Sequence, residues 1–447
     1  MMERDILHEQ IRELKMMMDR AFYTRNSVFA IIRSLFLKYI TDNTVGAETK
    51  EDMKVYAIIQ KYFAARDIVC DPNVLYIAFE IVEREYKLNN IFESVIPDYV
   101  QELFGFEKSW SIAKENVSKR IIGKIAEIDL TESDESHSVG KLVVKELTTM
   151  LFNADYRNIT GIVTGKSLAK IAQKILRVEE GDRYLDFASG TGLSTLNIVE
   201  NTPCKIYNMD ILGENLSLTA MFYIMYGYKD FQLSQKNFFD AKSDIEVDKI
   251  FVDPPFGKIK DMGGNSMDFV PRAVDMATAY LDFDNVNGLA VVAVSSGYLF
   301  GTAKNLCFLK QNLLANGFLK AIVALPLNVP GTIGMTVNLA VLSTQKNEKI
   351  LLVNACGKAF SKYVTKDKRE NIISEEGINK VAEIVNYGIQ EEGLSTVVSV
   401  DEIMKNNFDL MPSRYVKEIR TGADMTLEEI DNRLAALYAK LGIREKK

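Results

Sequence analysis

Between residues 140 and 385, short apolar runs alternate with longer helical patterns, and this alternation constrains the fold more than any other feature. Each apolar run is long enough for one buried strand. Helical segments such as 214–226 separate the runs, and strands joined through helices pair in parallel. The pattern predicts an α/β fold with a mostly parallel sheet, which binds ligands at the carboxyl ends of its strands. The strand candidates are 184–188, 205–209, 249–252, 289–294 and 321–325.

Helical patterns lie on the amino-terminal side of this alternation. Residues 1–130 form a predicted N-terminal helical domain with a strongly apolar helix at 28–40. Residues 131–388 form the predicted α/β domain. The acidic stretch 129–138 between them is typical of a solvated connector.

The remaining residues, 389–447, form a predicted C-terminal helical tail. A capping-box pattern at 426–429 starts its last helix. Apolar residues then follow at heptad-like spacing, which favours packing either against helices of this chain or against a partner helix. These residues are Ile430, Leu434, Leu437 and Leu441.

Composition excludes several kinds of chemistry. With 47% hydrophobic and 26% charged residues, the 447-residue chain is an ordinary globular one. It has no secretory pattern and no apolar run of membrane-spanning length, which predicts a cytoplasmic protein. The four cysteines form no CxxC pair, and the two histidines are His8 and His137. We therefore expect no metal site, no disulfide framework and no histidine-based catalysis.

The charge of the chain bears on nucleic-acid binding. The formal net charge is −7 and the isoelectric point is about 5.3. Nonspecific affinity for DNA comes mostly from cationic contacts to phosphates. The chain alone should therefore bind DNA poorly, and a DNA substrate would require a local basic face or a partner.

A glycine-rich turn follows the first strand candidate and precedes an apolar helix predicted at 193–199. Glycine lets the backbone approach a ligand closely, and a helix N-terminus adds a positive dipole. The turn does not match the GxGxxG dinucleotide pattern, because Ser194 and Thr195 stand where another glycine is required. A structural turn is the alternative to a binding turn. The candidate cofactor-binding residues are Asp186, Ala188, Ser189, Gly190, Thr191 and Gly192.

The next two strands also end in residues suited to a cofactor. Asp210 ends the second strand, where an acidic side chain can bind two ribose hydroxyls, and Ile211 can pack on an adenine face. Near the end of a third strand, Asn237 can hydrogen-bond an adenine amine. Phe238 can pack on the same ring, although an apolar residue at a strand end is at least as often part of the core.

The stretch Asp253-Pro254-Pro255-Phe256 follows the fourth strand candidate and forms a predicted catalytic clamp for a planar amine. The amine of adenine or cytosine is a poor nucleophile, because its lone pair is delocalised into the ring. The Asp253 carboxylate can accept one N–H, and a carbonyl between two prolines can be held rigidly as a second acceptor. Phe256 would stack on a base pulled out of a helix. A strand-ending turn is the alternative.

The order of the motifs favours the binding interpretation of each. Glycine turn, acidic strand end, polar strand end and amine clamp follow one another, each one strand further along. This combination suits S-adenosylmethionine, whose sulfonium carries the chemistry while the protein aligns the reactants. Positioning of the amine in line with the methyl group then accelerates transfer.

With these motifs the sequence resembles the methyltransferase subunits of type I restriction-modification systems, in the N6-adenine DNA methylase family. Residues 186–192 look like the family's DPACGTG motif, and 253–257 look like its NPPFG, with Asp in place of Asn. The likeness extends to 208–227, 297–301, 321–326, 331–334, the helical region at 27–42 and the tail at 410–416.

The chain departs from the family pattern in two places. The sequence TGIVTG at 160–165 stands where the family usually has a GEFYTP-like stretch that helps to hold the methionine end of the cofactor. Phe187 replaces a proline of the glycine motif.

The resemblance implies a Rossmann-like S-adenosylmethionine-dependent enzyme that methylates adenine N6 in DNA. A target-recognition domain usually needs more residues than remain beyond the helical and catalytic domains. Sequence readout is therefore assigned to another subunit, which the resemblance implies is a specificity subunit, often accompanied by a motor-nuclease (restriction) subunit. The tail near Arg414 and the leucine seam are its candidate contacts. Two alternatives stay open: a methyltransferase of protein glutamine or another amine, and a catalytically silent scaffold.

Overall fold

The protein is described here by a computed structural model that covers residues 2–21, 25–65, 71–93, 120–132, 138–153, 164–238, 245–260, 266–329, 336–367, 370–418, 431–432 and 434. Its helices are α1 Met2–Ala21, α2 Arg25–Asp42, α3 Lys50–Ala65, α4 Pro72–Tyr86, α5 Val139–Asn153, α6 Lys166–Leu176, α7 Leu193–Val199, α8 Gly213–Tyr226, α9 Phe269–Tyr280, α10 Ser296–Phe300, α11 Lys304–Ala315, α12 Glu375–Tyr387, α13 Val400–Lys405 and α14 Pro412–Tyr415. A 3-10 helix spans Lys358–Tyr363.

The strands are β1 Arg183–Asp186, β2 Lys205–Asp210, β3 Phe231–Gln235, β4 Lys249–Val252, β5 Lys258–Lys260, β6 Ser266–Asp268, β7 Leu289–Ser295, β8 Leu319–Ala324, β9 Val337–Ser343, β10 Lys349–Asn354, β11 Val364–Asp367, β12 Glu370–Ile373 and β13 Ser395–Ser399. Within the described residues, nine strands form one sheet in the order β13-β10-β8-β9-β7-β4-β1-β2-β3. Strands β3, β2, β1, β4 and β7 pair in parallel. The predicted strands and the mostly parallel α/β fold are confirmed.

Strand β9 breaks the parallel pattern. It lies between β7 and β8 and runs antiparallel to both. All seven of its residues are buried, so it fills the centre of the sheet. Because β8 and β7 are each antiparallel to β9, they run in the same direction as each other. The carboxyl ends of β8, β7, β4, β1 and β2 therefore lie at one edge of the sheet.

Helices cover both faces of the sheet, and the strand residues alternate between two apolar cores. Tyr184 of β1 belongs to the core beneath α6, α7 and α8, and Leu185 belongs to the core beneath α9 and α11. This alternation follows from the two-residue period of a strand. Because helices cover both faces, the central strands are mostly apolar on both sides rather than on one.

The N-terminal helices pack on the face that carries α8. Phe36, Phe79 and Phe92 stack on one another with ring centroids 4.9–6.2 Å apart. Arg33 of α2 is 1% exposed, and its Nη2 donates to Oε1 of Glu214 at 3.0 Å. A partly buried ion pair thus joins this helical region to the first turn of α8.

The sheet extends beyond the predicted boundary at residue 388, because β13 pairs antiparallel with β10 at its edge. The buried Lys310 ties the following segment to the core, since its Nζ donates to the carbonyl oxygens of Leu299 at 2.7 Å and Phe408 at 3.0 Å. Leu434 is 41% exposed. The division into three domains stays a prediction.

Several sequence predictions lie outside the described residues. They are residues 133–137 of the acidic connector, the block at 331–334, the capping box at 426–429, and Ile430, Leu437 and Leu441 of the leucine seam. Of the helices that are described, none combines the length and the apolar character needed to cross a membrane.

Candidate active site at the carboxyl edge of the sheet

Three acidic side chains lie at the carboxyl ends of neighbouring strands. Asp186 ends β1, Asp210 ends β2, and Asp253 follows β4. The order β4-β1-β2 is continuous and parallel, and adjacent strands are about 4.8 Å apart. The negative charges of Asp253 and Asp210 contribute to raising the pKa of Asp186, after burial, which is the main cause. The sheet thus brings together acidic residues that are far apart in sequence.

The glycine turn wraps around the carboxylate of Asp186. The backbone N–H of Ala188 donates to its Oδ1 at 3.2 Å, and the Ser194 hydroxyl donates to its Oδ2 at 2.9 Å. Gly192 has a φ of +72°, and a Cβ there would lie 2.6 Å from Cγ2 of Thr219 on α8. Glycine is therefore required at Gly192 for conformation and for space.

A hydrogen bond joins the glycine turn to Asp210 at the end of β2. The backbone N–H of Gly190 donates to Oδ2 of Asp210 at 2.9 Å. The Oδ1 of Asp210 accepts from the N–H of Leu212 at 2.8 Å and from Nδ2 of Asn215 at 3.0 Å. Asp210 is thus held in one orientation beside the turn, although burial raises its pKa.

The part of the predicted cofactor site that would contact the adenine ring is partly open to solvent. Ile211 is 58% exposed and its neighbour Leu212 is 48% exposed, so an apolar surface stands free beside Asp210. Asn237 is half-buried. Phe238 is buried, with its ring centroid 5.6 Å from that of Phe187 and 6.1 Å from that of Phe269. Phe238 therefore occupies the core position that the sequence left open as an alternative.

The amine clamp follows β4 directly. Asp253 is half-buried, and the Thr164 hydroxyl donates a hydrogen bond to its carboxylate. Burial raises the pKa of Asp253 to about 6, against the lowering effect of this hydrogen bond. Pro254 is buried and Pro255 is exposed, while Phe256 is half-buried against both cores. At neutral pH the carboxylate is ionised and is an acceptor.

Sequence reasoning missed two residues that position these acids. Thr164 belongs to the stretch that departs from the family pattern, and its side chain contacts Asp253 of the predicted clamp. Asn215 lies on α8, and its amide orients Asp210. A polar residue one helical turn after an acidic strand end was the available signal for Asn215.

The observed residues fit a cofactor with a cationic centre and an adenosyl group. The Ser189 hydroxyl is buried in the glycine turn and has no hydrogen-bond partner among the described residues, and a buried polar atom of this kind normally has one. The acids at the strand ends favour a positive charge. The exposed Ile211 suits an adenine face.

Comparison with known proteins agrees with this geometry. The model of the N-6 DNA methylase family matches residues 157–424, which is more than half of the chain. The chain belongs to the N-6 DNA methylase family. Membership confirms the predicted enzyme class, an S-adenosylmethionine-dependent adenine DNA methyltransferase, and S-adenosylmethionine as the methyl donor. Which of this methylase's residues hold the cofactor and the base stays a prediction.

Curated relatives and solved structures extend the likeness of this methylase. The type I restriction enzyme MjaIX methylase subunit of Methanocaldococcus jannaschii is 26% identical over 398 residues, which are 78% of this chain and 67% of the relative. A type I restriction-modification methyltransferase subunit from Streptococcus thermophilus has a TM-score of 0.73 at 15% identity and covers 93% of this chain and 100% of its own. A modification subunit from Vibrio vulnificus has a TM-score of 0.57 at 15% identity, covering 90% and 93%. The resemblance to type I methyltransferase subunits is confirmed, and the solved structures show a shared fold.

Proposed function

We propose that the chain is the methyltransferase subunit of a type I restriction-modification system, and that it methylates N6 of a flipped adenine within a site chosen by a specificity subunit. One observation carries this proposal. The carboxylate of Asp253 lies at the same sheet edge as the glycine turn and Asp210. The proposed amine clamp and the proposed cofactor-binding residues are therefore neighbours.

The cofactor half uses residues of β1, β2 and the loops that follow them. Gly190 and Gly192 leave room for close approach of the methionine part, and Asp210 accepts hydrogen bonds from ribose hydroxyls. Ile211 covers one adenine face, and Asn237 binds its amine. When bound, S-adenosylmethionine supplies an electrophilic methyl group.

The base half uses the clamp. The Asp253 carboxylate accepts one N–H of adenine N6, and the carbonyl of Pro254 accepts the other. Two acceptors below the ring plane favour a pyramidal nitrogen, whose lone pair then points toward the methyl group. Phe256 stacks on the flipped base. Alignment accounts for most of the acceleration, because no strong base is required.

The choice of DNA site is assigned to a partner. The chain is acidic, at a net charge of −7, and the fold has no described domain beyond the helices and the sheet that would read bases. A specificity subunit supplies readout, and a restriction subunit can join the complex. Arg414 is a candidate contact that is already oriented, because its Nη1 pairs with Oδ2 of Asp409 at 3.0 Å. The assembly acts in the cytoplasm.

A transfer assay tests the proposed function. The chain is co-expressed with a specificity subunit and incubated with methyl-labelled S-adenosylmethionine and either genomic DNA or a release-factor-like protein. We expect label in DNA as N6-methyladenine. Label in protein would identify a glutamine methyltransferase.

The silent-scaffold alternative requires a separate measurement. Calorimetric titration with S-adenosylmethionine should give saturable binding to the purified chain. A chain that assembles normally but binds no cofactor would be a scaffold. Long-read mapping of N6-methyladenine in cells with and without the gene would then identify the target site of an active enzyme.

A further inference from the structure

A basic hairpin stands outside the central sheet. Strands β11 and β12 pair antiparallel, from Val364 opposite Ile373 to Asp367 opposite Glu370. Residues 358–373 contain five basic and two acidic residues, in a chain whose net charge is −7. The side chains of Lys362 and Lys366 are exposed. This segment is therefore a local exception to the acidic character of the protein.

The base of the hairpin is fixed to the core. Phe360 and Tyr363 of the preceding 3-10 helix are buried, with ring centroids 5.1 Å apart, and Ile373 at the end of β12 is also buried. The Nζ of Lys362 lies 4.8 Å from the ring centroid of Tyr363. Because this end of the hairpin is anchored, Lys366 is held in a defined position.

The hairpin lies at the edge of the sheet that carries the active site. The N–H of Asn371 donates to the carbonyl of Asn328 at 3.4 Å, and its Nδ2 donates to the carbonyl of Leu327 at 2.6 Å. Both acceptors follow the carboxyl end of β8. Three strand spacings separate β8 from β4, which places this contact about 14 Å along the edge from Asp253.

A second connection fixes the hairpin relative to the clamp. Ser374 caps α12 directly after β12, and Glu375 accepts from Nζ of Lys170 on α6 at 2.8 Å. Helix α6 begins immediately after Thr164, the residue that hydrogen-bonds Asp253. The exposed Lys166 lies on the first turn of α6.

We propose that Lys362 and Lys366 form a phosphate-binding surface for the duplex on one side of the target adenine. Phosphates of one strand are about 3.4 Å apart along the helix axis, so the separation of about 14 Å from Asp253 corresponds to about four nucleotides. DNA with its adenine at the clamp therefore passes the hairpin. This inference rests on the proposed function and identifies the local basic face that an acidic DNA enzyme needs.

A protein partner is the competing occupant. Leu327 is 47% exposed and Ile372 is 42% exposed, and both lie next to Asn371. Apolar exposure suits a protein. The exposed lysines favour DNA over a protein, because cations about 14 Å along the sheet edge from the clamp can contact phosphates of a duplex held there.

The test uses Lys362→Gln with Lys366→Gln in the full chain, co-expressed with its specificity subunit. Binding to a 30-base-pair target duplex is measured from low to high salt. Each lost phosphate contact lowers the slope of log K against log salt by about 0.9. We expect the slope to fall by about 2, affinity at physiological salt to fall about tenfold, and KM for DNA to rise at unchanged kcat.

The matched control is Lys346→Gln with Lys349→Gln. Both lysines are exposed near the amino end of β10, at the opposite edge of the sheet. The control removes the same net charge and should leave the slope unchanged. Equal slopes for the two double variants would overturn the proposal. Loss of assembly with the specificity subunit at unchanged DNA affinity would also overturn it and identify a protein-binding surface.

The wild-type complex separates this proposal from the proposed function. If it transfers no methyl group while the hairpin variant still loses DNA affinity, the proposed function is wrong and the phosphate-binding surface is supported. If it methylates DNA and the hairpin variant binds like the wild type, the surface fails and the function stands.

Discussion

Asp210 and Asp253 end strands of the same sheet edge, but the protein holds their carboxylates differently. Asp210 accepts from two backbone N–H groups and one amide, at 2.8–3.0 Å. For Asp253, the donor that the described residues provide is Thr164. The carboxylate predicted to bind the cofactor is therefore oriented by contacts within the protein, whereas Asp253 keeps acceptor capacity that a substrate amine would use in the proposed clamp. The predictions below test this difference.

Asp253→Ala should have the largest effect. It removes the side-chain acceptor of the clamp, so methyl transfer should fall at least about 100-fold, which is the scale of the loss when a reacting group is misplaced. Calorimetry should give a dissociation constant for S-adenosylmethionine within about twofold of wild type. Asp253→Asn is the matched variant, because an amide oxygen still accepts, and it should keep part of the activity. Full activity in Asp253→Ala would remove this residue from the site.

Asp210→Ala should weaken cofactor binding instead. Hydrogen bonds to a charged group contribute about 1.5–3 kcal/mol, so we expect the dissociation constant for S-adenosylmethionine to rise about 10-fold to 100-fold. Saturating cofactor should restore most of the turnover. Asp230→Ala is the control, because Asp230 is exposed just before β3, at the opposite edge. Equal constants for the two variants would mean that Asp210 does not contact the cofactor.

The pH dependence of methyl transfer should follow the ionisation of Asp253. Burial raises the pKa of Asp253 to about 6, so its carboxylate accepts hydrogen bonds above pH 6 and becomes protonated below it. Activity at saturating substrates should fall about fivefold between pH 6 and pH 5, as the ionised fraction of a group with this pKa does. Asp253→Asn cannot titrate and should have a flat profile there. The same fall in that variant would assign the effect to another group, such as Asp186, whose pKa burial raises to about 7.

Gly192→Ala should have the smallest effect of these substitutions, and the effect should be on stability, because the added Cβ crowds α8. A Cβ would meet Thr219 at 2.6 Å, at a φ of +72°. Gly181→Ala is the matched control, since its φ is +86° and nothing lies within 4 Å of its Cβ. Overpacking typically costs about 1–3 kcal/mol, so denaturant unfolding should show Gly192→Ala to be less stable by that amount. Equal stability would show that the turn can move away from α8.

The sequence predicts the sheet where local pattern is sufficient. The strands that lead to Asp186, Asp210 and Asp253 are apolar runs with a polar end, and the structure has all of them. Strand β9 has the same apolar character, but its antiparallel insertion depends on pairing partners that are distant in sequence. Strand β13 was missed because five residues between helices carry little periodicity.

The candidate site shows the same limit. Spacing and residue type predict where the acids lie, and the structure has Asp186, Asp210 and Asp253 at or just after the ends of their strands. The partners of those acids could not be predicted, because Thr164 and Asn215 reach them through tertiary packing. Phe187 replaces the family's proline, and its contacts with Phe238 and Tyr280 show why an aromatic residue fits there.

The position of β9 has a consequence for how the chain is made. Translation releases β7 and β8 before β9, yet β9 lies between them. Until residues 337–343 emerge from the ribosome, the facing edges of two mostly apolar strands have unpaired backbone groups. Such edges pair readily with other chains. The nascent methylase is thus most prone to aggregation while the segment 319–343 is being synthesised, and slow decoding there would lengthen that exposure.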